Sequence, residues 1–187
     1  MRMRRILGLI FLVIAFTGQM NLYARDKIKD TTSIIVTCCA RHAQHLIGLL
    51  KMYEQQTILP DEVVVSLSEC NQVDRAIIDE VKNHAWKFPV ILLLFQEKKY
   101  AGENRNAACE VASGDILLCQ DVDDIPHPQR VELVKYFFSK HDILHLAHLF
   151  FDVKPGEKEV FKEYTGDTIP WFNPQNIKAA YKVRITT

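Results

Sequence analysis

The sequence predicts an α/β fold, a three-layer sandwich around a mainly parallel central sheet. Short, continuously apolar runs rich in β-branched residues recur along the chain, as expected of strands buried on both faces. Segments with helical apolar spacing separate them, and that alternation builds parallel sheets. The apolar run Ile116-Leu117-Leu118-Cys119 then leads through Gln120 into Asp121, Asp123 and Asp124. A strand's C-terminal edge is where open α/β sheets bind ligands.

The elements follow in order. Ser33 to Cys39 reads as the first buried strand. Ala43 to Gln55 carries Leu46, Ile47, Leu49, Leu50 and Tyr53 at helical spacing, and Leu59-Pro60-Asp61 breaks it. Glu62 to Leu67 is the second strand. Val73, Ile77, Ile78 and Val81 mark another helix, and Pro89 to Phe95 a third strand. Asn104 to Ala112 is a short helix, with Ser113-Gly114 as its C-terminal stop. Ile116 to Gln120 is the fourth strand. Pro126 and Pro128 announce a helix bearing Val131, Val134 and Phe138 on one face. His141 to Val153 reads as a strand pair or one long strand, and Asn176 to Tyr181 as a final helix. Val183 to Thr187 looks like the opening of a further element, so a C-terminal truncation is expected.

Composition bounds the function. The chain has 187 residues, enough for one domain with a real core. Lys+Arg and Asp+Glu balance at 23 each, which argues against a nucleic-acid partner held by bulk basicity. Residues 1–24 combine a basic head (Arg2, Arg4, Arg5), an apolar core from Ile6 to Phe16 and a small residue, Ala24, at a cleavage point. They read as a signal peptide or short membrane anchor, and residues 25–31 as a linker. Placement in a secretory lumen, export, or membrane association through this segment is the corresponding expectation. Five cysteines without CxxC spacing argue against zinc-knuckle or thioredoxin chemistry. Cys38, Cys109 and Cys119 lie in apolar surroundings that suit buried thiols.

Chemistry concentrates around the acids. On an extended backbone, Asp121 and Asp123 leave the same face, and two convergent carboxylates can hold a hard divalent cation that also bridges phosphates. Upstream, Gly102 permits close backbone approach, a helix N-terminus offers free N–H groups, and Arg105 suits a phosphate or planar base edge.

The ordered set Gly102, Arg105-Asn106, Ala112-Ser113-Gly114-Asp115, strand, Asp121-x-Asp123-Asp124 resembles the family 2 glycosyltransferases with the GT-A (Rossmann-like) fold. That family shows an ARN-x-(G/A) helix, an A-x-GD turn and a DxDD strand end in this order. The first strand and the helix after it also fit, so the resemblance covers about residues 31 to 140. It implies a glycosyltransferase domain over 32–187, with its nucleotide-binding half at about 32–140. It further implies a nucleotide-diphosphate sugar donor, with a UDP-sugar favoured, and Mn2+ or Mg2+. Inversion is the outcome the resemblance implies.

By position, Asp121 would contact the ribose or sugar side of the donor and share the metal site with Asp123, which binds the ion bridging the phosphates. Asp124, beside Val122, would support the loop or donor sugar. Arg105 would lie against the nucleotide near Gly102. Thr37, Cys38, Cys39 and Arg41 would line the base pocket. The family's acidic loop after the second strand is here Ser66-Leu67-Ser68-Glu69-Cys70, with Glu69 as the substitute base reader. No match to the family's downstream catalytic base is present. Glu163 and Asp167 are acids in a different context, so the catalytic residue is unassigned. The acceptor, whether saccharide, lipid or protein, is likewise unassigned.

Other readings remain. A non-catalytic or truncated nucleotide-sugar-binding domain would keep the first half alone. A haloacid-dehalogenase-type phosphatase would use Asp121 as nucleophile and Asp123 as general acid, but would place this strand first. An EF-hand fails at Ile125 and Pro126. His141, His145 and His148 share a helical face without the glutamate of a zinc-protease motif, and read as ordinary histidines. Phe161, Tyr164, Trp171 and Phe172 could stack on a sugar, although core packing is the commoner use of such residues.

Overall fold

The computed structural model describes residues 31–140, 143, 146, 163 and 164. The leader, the linker and the elements expected beyond 140 lie outside them, as do His141, His145, His148, Phe161, Asp167, Trp171 and Phe172. Four strands form one all-parallel sheet: β1 (Thr32–Cys39), β2 (Glu62–Ser68), β3 (Val90–Leu94) and β4 (Ile116–Asp121), in the order β3-β2-β1-β4. The register pairs Ser33 with Glu62, Val63 with Val90, and Thr37 with Asp121.

Helices cover both faces. On one, Ile34, Val36, Val63, Val65 and Leu118 pack under α1 (Leu46–Tyr53), α2 (Arg75–Asn83) and α4 (Arg130–Lys140). On the other, Ile35 and Val64 pack against Ala108 of α3 (Ala101–Val111). Because α3 lies over β1 and β2, β4 is covered on one face only among the described residues, and Leu117 and Cys119 are exposed. No helix among the described residues is long and apolar enough to cross a membrane.

Three local expectations need correction. The helix expected over 43–55 begins as a 3-10 turn at Ala40–His45 and becomes α-helical only at Leu46. The helix expected from Asn104 starts at Ala101, because the Glu103 carboxylate reaches back to accept from the Tyr100 amide at 2.8 Å. Gly102 therefore sits inside the first helical turn, where a Cβ would meet nothing within 4 Å. Gly114 is not a left-handed helix stop either. The chain leaves α3 extended at Ala112, and Gly114 is required where backbone meets backbone: a Cβ there would lie 2.7 Å from Ser33 N.

Candidate functional site

The C-terminal ends of the parallel strands gather the candidate residues. β4 delivers Asp121, and the chain then turns at once: the Asp124 amide donates to the Asp121 carbonyl at 3.2 Å. The backbone is therefore not extended from Asp121 to Asp123 as expected, although exposure still alternates, with Asp121 and Asp123 exposed and Val122 buried. Val122 tucks its side chain into the core. The three acids leave one turn, each with its own partners.

Asp121 is held by two elements at one oxygen. Thr37 Oγ1, from the end of β1, donates to Oδ1 at 2.8 Å, and Arg105 Nη2, from α3, donates to the same atom at 3.2 Å. Arg105 Nε is buried with no hydrogen-bond partner among the described residues. Asp123 faces the 3-10 turn, where His42 Nδ1 lies 3.1 Å from its Oδ2. Arg41 Nε donates to His42 Nε2 at 3.0 Å, which makes Nε2 the acceptor and leaves the ring proton on Nδ1, directed at Asp123. Burial, with Asp121 and Asp123 close by, pushes the Asp124 carboxyl above its ordinary range, partly offset by Arg130.

The remaining candidates lie around this turn. Cys38 is a core thiol; burial, aided by Cys39 and Asp123, pushes it up to about 12, so it is no nucleophile. Any ligand contact from Cys38 or Val122 is left to the backbone. Cys39 ends β1, half-buried. Glu69 follows β2 with φ 56, the one non-glycine residue in the left-handed region among the described residues. Gly102 and Arg105 lie on α3, and of the late acids only Glu163 falls among the described residues.

Two residues carry more of the site than their sequence context suggests. Asn104 is buried and joins three elements: its Oδ1 accepts from Ser66 Oγ at 3.0 Å, and its Nδ2 donates to the Cys38 carbonyl at 3.1 Å and to Ser68 Oγ at 3.2 Å. By sequence it is only the start of a helix. Gln120 is a fully buried amide directly before the acids, a polar residue in an otherwise apolar strand. That interruption was the available signal.

The donor set suits a hard cation in part. Among the described residues no group of three or more His, Cys, Asp or Glu side chains could hold a metal alone. The exposed carboxylates of Asp121 and Asp123 on one turn fit an ion that takes its other ligands from phosphate or water.

A family model described as Glycosyl transferase family 2 matches residues 33–184. A relative from Haemophilus influenzae, named "Uncharacterized glycosyltransferase", is 31% identical over 146 residues, which cover 78% of this chain and 45% of that protein. The chain thus spans less than half the length of that relative. Two crystal structures of S. aureus TarS 1-349 share the fold. The one in complex with UDP aligns with a TM-score of 0.52 and 23% identity over 59% of this chain and 32% of that one. The other aligns with a TM-score of 0.51 and 21% identity over 59% and 33%. The GT-A architecture accounts for the parallel sheet, and the phosphatase alternative falls: among the described residues three strands precede β4, which that reading would place first.

Proposed function

The chain belongs to glycosyl transferase family 2, and on that premise we propose that it binds a nucleotide-diphosphate sugar at the C-terminal edge of its sheet, for metal-dependent transfer of the sugar to an acceptor. The observation that carries this reading is the acidic turn Asp121–Asp124, set between Thr37 of β1, Arg105 of α3 and His42 of the 3-10 turn.

Asp123, with Asp121 beside it, would hold Mn2+ or Mg2+. When bound there, the ion supplies Lewis-acid stabilisation of the charge that develops on the departing diphosphate. The protein's own groups do the rest. Arg105 adjoins the turn with a planar guanidinium of five donors, so it can contact phosphate while steadying Asp121. The backbone of Thr37 to Arg41 borders the base pocket, and Glu69 reads the base. Asp124 supports the donor sugar. UDP is the first nucleotide to test, since one solved neighbour is a UDP complex. We keep residues 1–24 as a leader or anchor within the same proposal; N-terminal sequencing of the secreted or membrane-bound form checks it.

The test is calorimetric titration of UDP and GDP with and without Mn2+, beside a hydrolysis screen across UDP- and GDP-sugars. Metal-dependent binding that disappears in Asp123→Ala supports the proposal. Binding without turnover on any donor favours the non-catalytic alternative. No binding of either nucleotide overturns both.

A further inference from the structure

Beneath the acidic turn lies a buried amide with every hydrogen-bonding position used. Gln120 projects to the α1/α4 side of β4, among Ile116, Leu118 and Val131. A polar group there is tolerated only if its bonds are satisfied. Its Oε1 accepts from Tyr53 Oη at 2.9 Å and from Arg130 Nη1. Its Nε2 donates to the Asp121 carbonyl at 2.8 Å and to the Asp124 carbonyl at 3.0 Å. An amide has two lone pairs and two N–H bonds, so the network is complete and its orientation is fixed. The two carbonyls it grips are the first and the last of the turn. Arg130 also donates to the Cys119 carbonyl at 2.7 Å, which anchors α4 to the same strand end.

We propose that Gln120 is the positioning residue of the acidic turn: by clamping the Asp121 and Asp124 carbonyls from inside the core, with Tyr53 and Arg130 orienting its amide, it sets the direction of the carboxylates that receive the donor diphosphate. This rests on the donor-site reading above. Gln120 touches no reacting group, and it acts through the turn. Removing outer partners that orient metal ligands typically costs about 10- to 100-fold in metal affinity or activity.

The informative variant is Gln120→Glu. It keeps an acceptor for Tyr53 and Arg130, so the volume stays filled and those two donors stay paired. It replaces both N–H donors by lone pairs facing the turn carbonyls. Gln120→Leu removes both sets of bonds and serves as the harsher comparison. Three quantities are measured on the full chain: melting temperature, exchange of the Asp124 amide by NMR, and UDP affinity with Mn2+. For Gln120→Glu the expected result is a folded protein, an Asp124 amide exchanging about tenfold faster, and UDP affinity reduced about 10- to 100-fold. Unchanged exchange overturns the clamp. Faster exchange with wild-type UDP affinity overturns its role in donor binding. A wild-type chain that binds no nucleotide, with the exchange effect still present, removes the donor reading and leaves the clamp standing.

Discussion

Thr37 and Asp121 are paired twice, once as register partners between β1 and β4 and once through their side chains, with Thr37 Oγ1 2.8 Å from Asp121 Oδ1. Parallel pairing brings two residues 84 positions apart to the same strand end. A hydroxyl at that place fixes which way the first acid of the turn points. Arg105 completes the hold from the helix above.

Thr37→Val keeps the shape and removes the hydroxyl. The expected loss is about 1 kcal/mol of stability, the usual net worth of one hydrogen bond. Nucleotide affinity should fall more than stability predicts, because Asp121 is then held by Arg105 alone. Urea unfolding and calorimetric titration of UDP compare the two losses.

Glu69 occupies left-handed backbone, where a Cβ is unfavourable and glycine is at ease. Relief of the left-handed penalty, roughly 1–2 kcal/mol, less the roughly 0.5–1 kcal/mol of chain entropy a glycine loses, should make Glu69→Gly more stable by about 0.5–1 kcal/mol. If the carboxylate reads the base, the same change weakens UDP or GDP binding about tenfold, the value of a hydrogen bond to a charged group. A variant that is more stable and binds nucleotide unchanged would remove Glu69 from the pocket.

Asn104 closes three bonds to β1 and β2. Asn104→Ala leaves a buried carbonyl and two hydroxyls without this partner, at a cost of about 2–3 kcal/mol. Chemical denaturation reads it directly. A loss below about 0.5 kcal/mol, the range of ordinary surface changes, would show that water replaces the amide.

Gly114→Ala should destabilise by about 1–3 kcal/mol, the usual range for overpacking, because the added carbon would lie 2.5 Å from Ser33 Oγ and 2.7 Å from Ser33 N. Backbone atoms cannot swing aside. Ser33→Ala would relieve only the side-chain part of the clash, so the double variant should stay destabilised.

The acid response has opposite signs at two carboxyls. Burial alone would raise Glu62, but the Ser33 hydroxyl and the Ser113 amide, each at 2.6 Å, hold it below its ordinary 4.5. Its folded value is thus lower than its unfolded one. Its stabilisation is complete above 4.5 and is lost as pH falls through the folded value. Asp124 behaves in reverse. Burial and its acidic neighbours hold it above 3.8, so acidification relieves a penalty there. Glu62→Gln should flatten the loss of stability below pH 4.5, and Asp124→Asn should raise stability at neutral pH. Melting temperature measured across pH checks both.

Much of the architecture was legible because it rests on local patterns. The β-branched runs at Ile34–Val36 and Val63–Val65 became the two central strands, and the apolar spacing Leu46, Leu49, Leu50, Tyr53 became the buried face of α1. The place of the acids was legible too, since a strand that ends in carboxylates must present them at an edge. What was not legible were local departures from regular backbone. Asp121 and Asp123 were expected along one extended strand, but the chain turns after Asp121, and that turn closes through the Asp124 amide and the Asp121 carbonyl. The helix was expected to begin at Asn104, but Glu103 starts it at Ala101, earlier than the apolar pattern could indicate, and places Gly102 in its first turn.

Sequence alone determined the α/β class, the parallel strands and the family, because apolar periodicity and ordered motifs are properties of neighbouring residues. Tertiary structure decided which partners aim each carboxylate: Thr37 and Arg105 for Asp121, His42 for Asp123, Gln120 beneath the turn. Those partners come from β1, α3, the 3-10 turn, and the core between α1 and α4. A hydrogen bond depends on distance and angle in space, and only the packed sheet brings such residues within reach.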